Sequence, residues 1–218
     1  MLKQYRRLII LLMLLVLGLF VGALGDTLQS QVMSWGTAMA GRPWAIAVII
    51  LIQILLFTAA MPGSMVLLLV SPFYPPVQAT LILTAGTVGG GLGAYAVATK
   101  LGEAARNRLS ARKGFRILSQ RSDFMTQCAM RVLPGFPHAI INYGAGVLRL
   151  PLWKFILATI AAALVKWSVY SSAIHGVVEA QDINQALTPG TLLPLLLLAL
   201  FLAFGSWLAS RFQNGKTA

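Results

Sequence analysis

Apolar residues in this chain run in long blocks, and two of those blocks break in the same manner. The first block, Leu8 to Leu24, follows Lys3, Arg6 and Arg7. The second runs from Trp44 to Ala60, breaks at Pro62-Gly63-Ser64, resumes as Met65 to Val70, and stops at Ser71-Pro72-Phe73-Tyr74-Pro75-Pro76. One long apolar block, Val77 to Thr99, comes next. The order of events then recurs. An apolar stretch from Phe124 breaks at Pro134-Gly135-Phe136-Pro137, returns briefly to Val147, and Pro151 opens a long block ending near Tyr170. Pro62 and Pro134 are 72 residues apart, and Pro76 and Pro151 are 75 apart. Helix-breaking backbone at membrane depth is tolerated only where protein or a water-lined cavity satisfies it. Paired breaks in corresponding positions of two halves mark the place where something polar crosses.

The pattern predicts an all-α, polytopic membrane protein. Its core is an inverted repeat of two re-entrant helical hairpins, each followed by a transmembrane helix, with an extra helix at each end. The chain reads as a single membrane domain over 1–218. It comprises a first transmembrane helix at 8–25, a first hairpin plus helix at 44–99, a basic segment at 100–121, a second hairpin plus helix at 122–171, and a last helix at 191–210. Several blocks reach the roughly 17 to 25 residues that a spanning helix needs. The first exceeds the roughly 7 to 15 apolar residues of a cleaved signal, so it is expected to stay as a helix.

Charge sets the orientation. Lys3, Arg6 and Arg7 place the N-terminus in the cytoplasm, and Arg211 and Lys216 place the C-terminus there. Between them, Lys100, Arg106, Arg108, Arg112, Lys113, Arg116 and Arg121 stand against one acid, Glu103, so that segment also belongs inside. Asp26 to Arg42, and the loop carrying Glu179 and Asp182, then lie outside. Parity holds only if Trp44 to Tyr74 dips in from outside and turns back. By the same logic Phe124 to Val147 dips in from the cytoplasm. The length of Trp44 to Ala60 argues for a full crossing, but the basic segment argues harder against it.

Composition removes other classes. Apolar residues are 58% and charged residues 10%, far below the roughly 25% charge of a soluble domain, and mean hydropathy is +0.80. The net charge of +12 sits beside apolar blocks without aromatic interleaving, which points to anionic lipid surfaces and away from nucleic acid. Cys128 is the lone cysteine, and His138 and His175 are far apart, so no disulfide and no metal site is expected. There is no catalytic constellation, no cofactor motif and no Walker-type ATP site. The expected reading is therefore not an enzyme, and any transport is passive, gradient-driven or powered by a partner.

Within the block Val77 to Thr99, Gly86/Gly90 and Gly89/Gly93 form two small-xxx-small pairs for close helix packing. A glycine costs a soluble helix about 1 kcal/mol relative to alanine, so this cluster implies a packing purpose. Leu101 to Leu118 reads either as an interfacial helix with Leu101, Ala105, Leu109 and Phe115 toward lipid or as a solvated cytoplasmic linker. Arg131 is the leading candidate for function, because a charge in a membrane segment normally pairs or faces a cavity. His138 follows the turn and can meet a headgroup or cap a helix, and Asn142 and Tyr143 can bond freed backbone. Pro62, Gly63, Pro134, Gly135 and Pro137 shape the breaks. Asp123, eight residues before Arg131, reads as an interfacial anchor. Lys154 and Lys166 are expected to snorkel, and Trp153, Trp167 and Tyr170 to form an aromatic belt.

The second half carries a resemblance. Arg131-Val-Leu-Pro134-Gly-Phe136-Pro137, then Asn142-Tyr143 and Gly146, then Pro151-Leu-Trp-Lys-Phe155, resembles the signature of the VTT-domain superfamily, which includes the bacterial DedA proteins and the SNARE-associated Golgi protein branch. Pro62-Gly63-Ser64 and the glycine-rich helix match the first half more loosely, so residues 55 to 170 are covered. The DedA branch carries a glutamate after the first Pro-Gly, where Ser64 stands here, and a second arginine where this chain has Pro137. These departures place the resemblance on the SNARE-associated Golgi protein branch. The resemblance implies paired re-entrant hairpins and movement of lipids between leaflets.

That reading is a lipid transporter or scramblase acting on phosphate-bearing lipids without ATP. Arg131 would draw the anionic group at the cytoplasmic entrance, with His138 and Asn142 as weaker contributors. The partners are then membrane lipids with anionic or phosphate headgroups, in a bacterial plasma (inner) membrane, and self-association as a homo-oligomer is left open. The alternative is a non-transporting scaffold or assembly factor that uses its basic cytoplasmic loop.

Overall fold

The computed structural model describes residues 26–101, 103–132, 137–179, 188–189, 192–197 and 199–200. Every regular element among them is helical. The expected first helix at 8–25 lies outside the described residues, as do most of the last at 191–210 and the break residues Pro134 and Gly135. The chain divides into two units, residues 1–42 and 43–218. In the first, helix α1 spans Asp26–Ala40.

In the second unit, α2 spans Pro43–Thr58 and ends for a local reason. Pro62 disfavours helix in the residue before it and has no N–H to give. Ala60 takes a left-handed φ of 60°, and the Met61 N–H closes back on the Leu56 carbonyl at 2.8 Å. This is a Schellman closure, which satisfies carbonyls that hydrocarbon cannot. A 3-10 turn, Gly63–Met65, leads into the short α3, Val66–Val70. Pro76 then opens α4, Pro76–Thr99, at the first helical position, where a missing N–H costs nothing.

Helix α2 runs parallel to α4, and glycines make the contact. A Cβ on Gly86 would strike Gln53, on Gly89 Ile54, on Gly90 Phe57, and on Gly93 Thr58. Both numberings rise together, so the helices point the same way. At 1.5 Å per residue α2 is about 24 Å long and α4 about 36 Å. The first arm therefore ends well before α4 does, and the chain turns back beside it.

The middle segment is two short helices, α5 (Glu103–Ser110) and α6 (Lys113–Gln120), rather than one interfacial helix. Arg112 is extended between them, with φ −83° and ψ 135°. Phe115 does not face lipid. It is buried with Leu118 against Gly144, because a helix of this length gains more by covering a protein face than by floating alone.

The second half repeats the order of elements. Helix α7 spans Phe124–Val132, α8 spans His138–Val147, and α9 spans Leu152–Glu179. Helix α9 continues nine residues past Tyr170, where the apolar block had been expected to end. Two of its added polar residues meet protein: Ser171 is fully buried, and the His175 ring lies 3.3 Å from the Ser71 carbonyl. Helices α4 and α9 are antiparallel. Tyr95 donates to the Leu150 carbonyl at 2.7 Å, while Trp167, further along α9, donates to Thr87, earlier on α4.

The return arm α8 packs on the other half's long helix. Asn142 faces Gly91, and a side chain at Gly146 would collide with the Tyr95 carbonyl. Helices α4 and α9 are long and apolar enough to cross a membrane, and α2 makes a third when it is counted with residues before it.

Candidate functional site

The residues flanking the two breaks meet. Phe57, at the end of α2, packs on Gly63 and places its ring 5.6 Å from the His138 ring, edge to face. Tyr143 on α8 donates its hydroxyl to the Thr58 carbonyl at 2.5 Å. Pro137 precedes α8 in extended conformation, with its carbonyl accepting from Ile140 at 3.0 Å. His138 and Tyr143 thus follow the second break, and Phe57 and Thr58 precede the first.

Arg131 sits in the last turn of α7 and is only 4% exposed. Long helical side chains lean toward the helix N-terminus, and this one follows the rule. Its Nη1 donates to the Gln127 carbonyl at 3.1 Å, and the guanidinium lies 4.8 Å from the centre of the Phe155 ring. Its Nη2 has no partner, and neither does the neighbouring Gln127 Oε1. Phe155 also contacts Tyr95 and faces Gly91, beside the buried Asn142. The ring of Phe155 therefore stands between the arginine and α4.

Among the described residues, no carboxylate pairs with Arg131. The sequence holds no Asp or Glu between residues 43 and 101 or between 124 and 178. Asp123 caps α7 instead. It is exposed and accepts from the Thr126 N–H at 3.0 Å and the Thr126 hydroxyl at 2.6 Å. Those bonds, the hydroxyl's first, hold its carboxyl below the usual range.

Two side chains that sequence reasoning had assigned to the lipid boundary are inside. Lys166 does not snorkel: it is 5% exposed, with Nζ 2.9 Å from His138 Nε2 and 3.8 Å from the Trp167 ring centre. Trp167 is not a belt residue. It is fully buried and donates Nε1 to Thr87 Oγ1 at 2.9 Å. Gln53 reaches the same hydroxyl at 3.4 Å, and its Oε1 is unpartnered, as is Thr84 Oγ1. Lys154, by contrast, is half-buried near the start of α9, with Nζ 5.4 Å from the Trp153 ring centre. The missed signal was a lysine in mid-helix, which became visible only once α9 was known to reach Glu179.

A charge in a membrane interior costs about 2.5–3.5 kcal/mol on insertion scales. A desolvated cation–π contact returns about 2 kcal/mol. Each ring contact thus offsets part of the cost, and the remainder falls to hydrogen bonds or to an anion. A separate groove of about 440 Å³ lies between the start of α4 and the later turns of α9, with chiefly apolar walls that include Val77, Leu81 and Leu164. None of Arg131, His138 and Asn142 lines it.

An all-helical frame with helices long and apolar enough to cross a membrane defines the class as an integral membrane protein. The chain matches the VTT domain over residues 61–176, a little more than half its length, and it belongs to that family, the domain of the DedA and SNARE-associated Golgi proteins. No curated protein and no solved structure matches it.

Proposed function

We propose that this protein exchanges phosphate-bearing lipids between membrane leaflets without ATP, and that it is not an enzyme. The observation that carries the reading is Arg131, which is buried, has one guanidinium nitrogen unpartnered, and pairs with no carboxylate among the described residues. Such a group suits an anionic headgroup, since charge-assisted bonds to phosphate are about twice as strong as neutral ones. The two hairpins, of opposite orientation, would enclose a polar path while acyl chains stay in the bilayer. His138 and Asn142 would contribute along that path. The parallel course of α2 and α4, together with the shorter α2, supports a first hairpin that enters and leaves by one face. With no intramembrane carboxylate, exchange runs down a gradient. The site of action is a bacterial inner membrane, with both termini in the cytoplasm.

Proteoliposomes test the activity directly. The parent should speed exchange of a labelled phosphate-bearing lipid, and Arg131→Ala should slow it at least about ten-fold at matched insertion, with Arg131→Lys between them. No acceleration of any such lipid by the parent ends the proposal. A scaffold would instead lose its effect when the charges of the basic segment are removed, while tolerating Arg131→Ala. Orientation is tested with single cysteines in a Cys128→Ser background: Gln181→Cys should react with an impermeant reagent outside and Ser110→Cys should not.

A further inference from the structure

Lys166 carries a role of its own. It occupies the middle of a 28-residue apolar helix and is 5% exposed, and the acid on that helix, Glu179, stands at its far end. Its Nζ lies 2.9 Å from His138 Nε2. With Lys166 as an ammonium, which has donors only, the ring nitrogen accepts and the neutral imidazole carries its proton on Nδ1; the roles at this contact follow from that assignment. One donor is thereby used, and the Trp167 face takes the charge from a second side at 3.8 Å. An N–H remains for a ligand. The groups facing the pair are the Phe57 ring on α2, which contacts His138, and Arg131 on α7, which acts electrostatically on the same ring.

We propose that Lys166 is the second station of a two-cation phosphate site, entered at Arg131, and that His138 is the neutral partner to which Lys166 returns when no phosphate is bound. This rests on reading Arg131 as the entrance of a headgroup path. The ligand chemistry is a phosphate group, whether on a lipid or free.

Arg131 meets α9 at Phe155, about 16 Å from Lys166 along the helix axis at 1.5 Å per residue. As successive holds, the two cations would take the phosphate in turn. A phosphate oxygen displaces His138 because a bond between two charged groups outweighs one to a neutral lone pair. The compact ammonium on a flexible four-carbon stem can make that exchange without moving backbone. Withdrawal of the ammonium changes the field on Trp167, which makes this indole a built-in reporter.

The test uses purified full-length protein in detergent, with the other four tryptophans changed to Phe so that only Trp167 emits. Inorganic phosphate, dihexanoyl phosphatidic acid and dihexanoyl glycerol are titrated separately. The expected result is a saturable change in Trp167 emission with a phosphate-bearing probe and none with the glycerol. Lys166→Met should weaken that response at least about ten-fold, and Lys166→Arg should keep it within about three-fold.

A response to both phosphate probes assigns the headgroup chemistry. A response to inorganic phosphate alone supports the Lys166 station while sinking lipid exchange. No saturable change with either probe in the parent, or an unchanged response in Lys166→Met, overturns the inference. If Lys166→Met does not fold, the parent titration and Lys166→Arg still decide: flat emission in the parent, or loss of the response in Lys166→Arg, overturns it.

Discussion

The two hairpins share an order of elements and differ in chemistry. The first arm of the first hairpin, α2, buries Gln53 and Phe57 against glycines of α4 and carries no charge. The first arm of the second, α7, buries Arg131 against the Phe155 ring of α9. One arm is fixed by close backbone approach and the other by a cation held on a ring. The contrast teaches that a repeated order of elements need not repeat the chemistry: the first arm packs on backbone, and the second buries a cation.

The sharpest way to break that contrast is to neutralise both arms. Arg131→Leu should reduce lipid exchange at least about ten-fold, whereas Gln53→Leu, which also removes an unpartnered buried oxygen, should stay within about two-fold. Equal losses would show that both hairpins bind. Packing gives the next largest effect. Gly90→Ala places a methyl group against Phe57, with the Ile54 carbonyl 3.1 Å away, and should cost about 1–3 kcal/mol in unfolding. Gly91→Ala meets Phe155 at an ordinary 3.4 Å and should be near neutral, since alanine favours the helix by up to about 1 kcal/mol. A reversal in thermal melting would place the tight seam on the wrong side of α4.

Tyr143→Phe removes a hydrogen bond that joins the flanks of the two breaks. Membrane-buried bonds of this kind average about 0.6 kcal/mol, so a small drop in melting temperature is expected and exchange should persist. The smallest effect belongs to Asp123. Its depressed carboxyl stabilises α7 fully above its unfolded value of about 3.9, and that contribution fades as pH falls through the lower folded value. Melting curves below about pH 4 should therefore fall more steeply for the parent than for Asp123→Asn.

Much of the frame was legible in the chain. Pro62-Gly63 ends the first arm, Pro76 starts α4, and the order of elements around Pro137 and Pro151 is as the apolar blocks had it. The interior chemistry was less so. Helix α4 is apolar all round, so its pattern does not reveal which face meets protein, and Thr84 and Thr87 looked no different from lipid-facing residues. Lys166 and Trp167 lie inside for the same reason: their side of α9 meets protein, which residue type and apolar pattern do not report. Phe115 faces Gly144 because a neighbour 29 residues away leaves room for it, and no local periodicity reports that.

The cross-docking of α8 on α4 has a consequence for how the chain is made. Helix α4 is complete at Thr99, but the surface around Gly91 and Tyr95 that receives α8 stays uncovered until Val147 has been synthesised. At about 5–20 residues per second that interval is roughly 2–10 s. For that time a glycine-rich helix sits half-clad in the insertion machinery, open to mispairing with other newly made helices. Slowing translation between these two points should lower the yield of folded protein more than slowing it before Pro43.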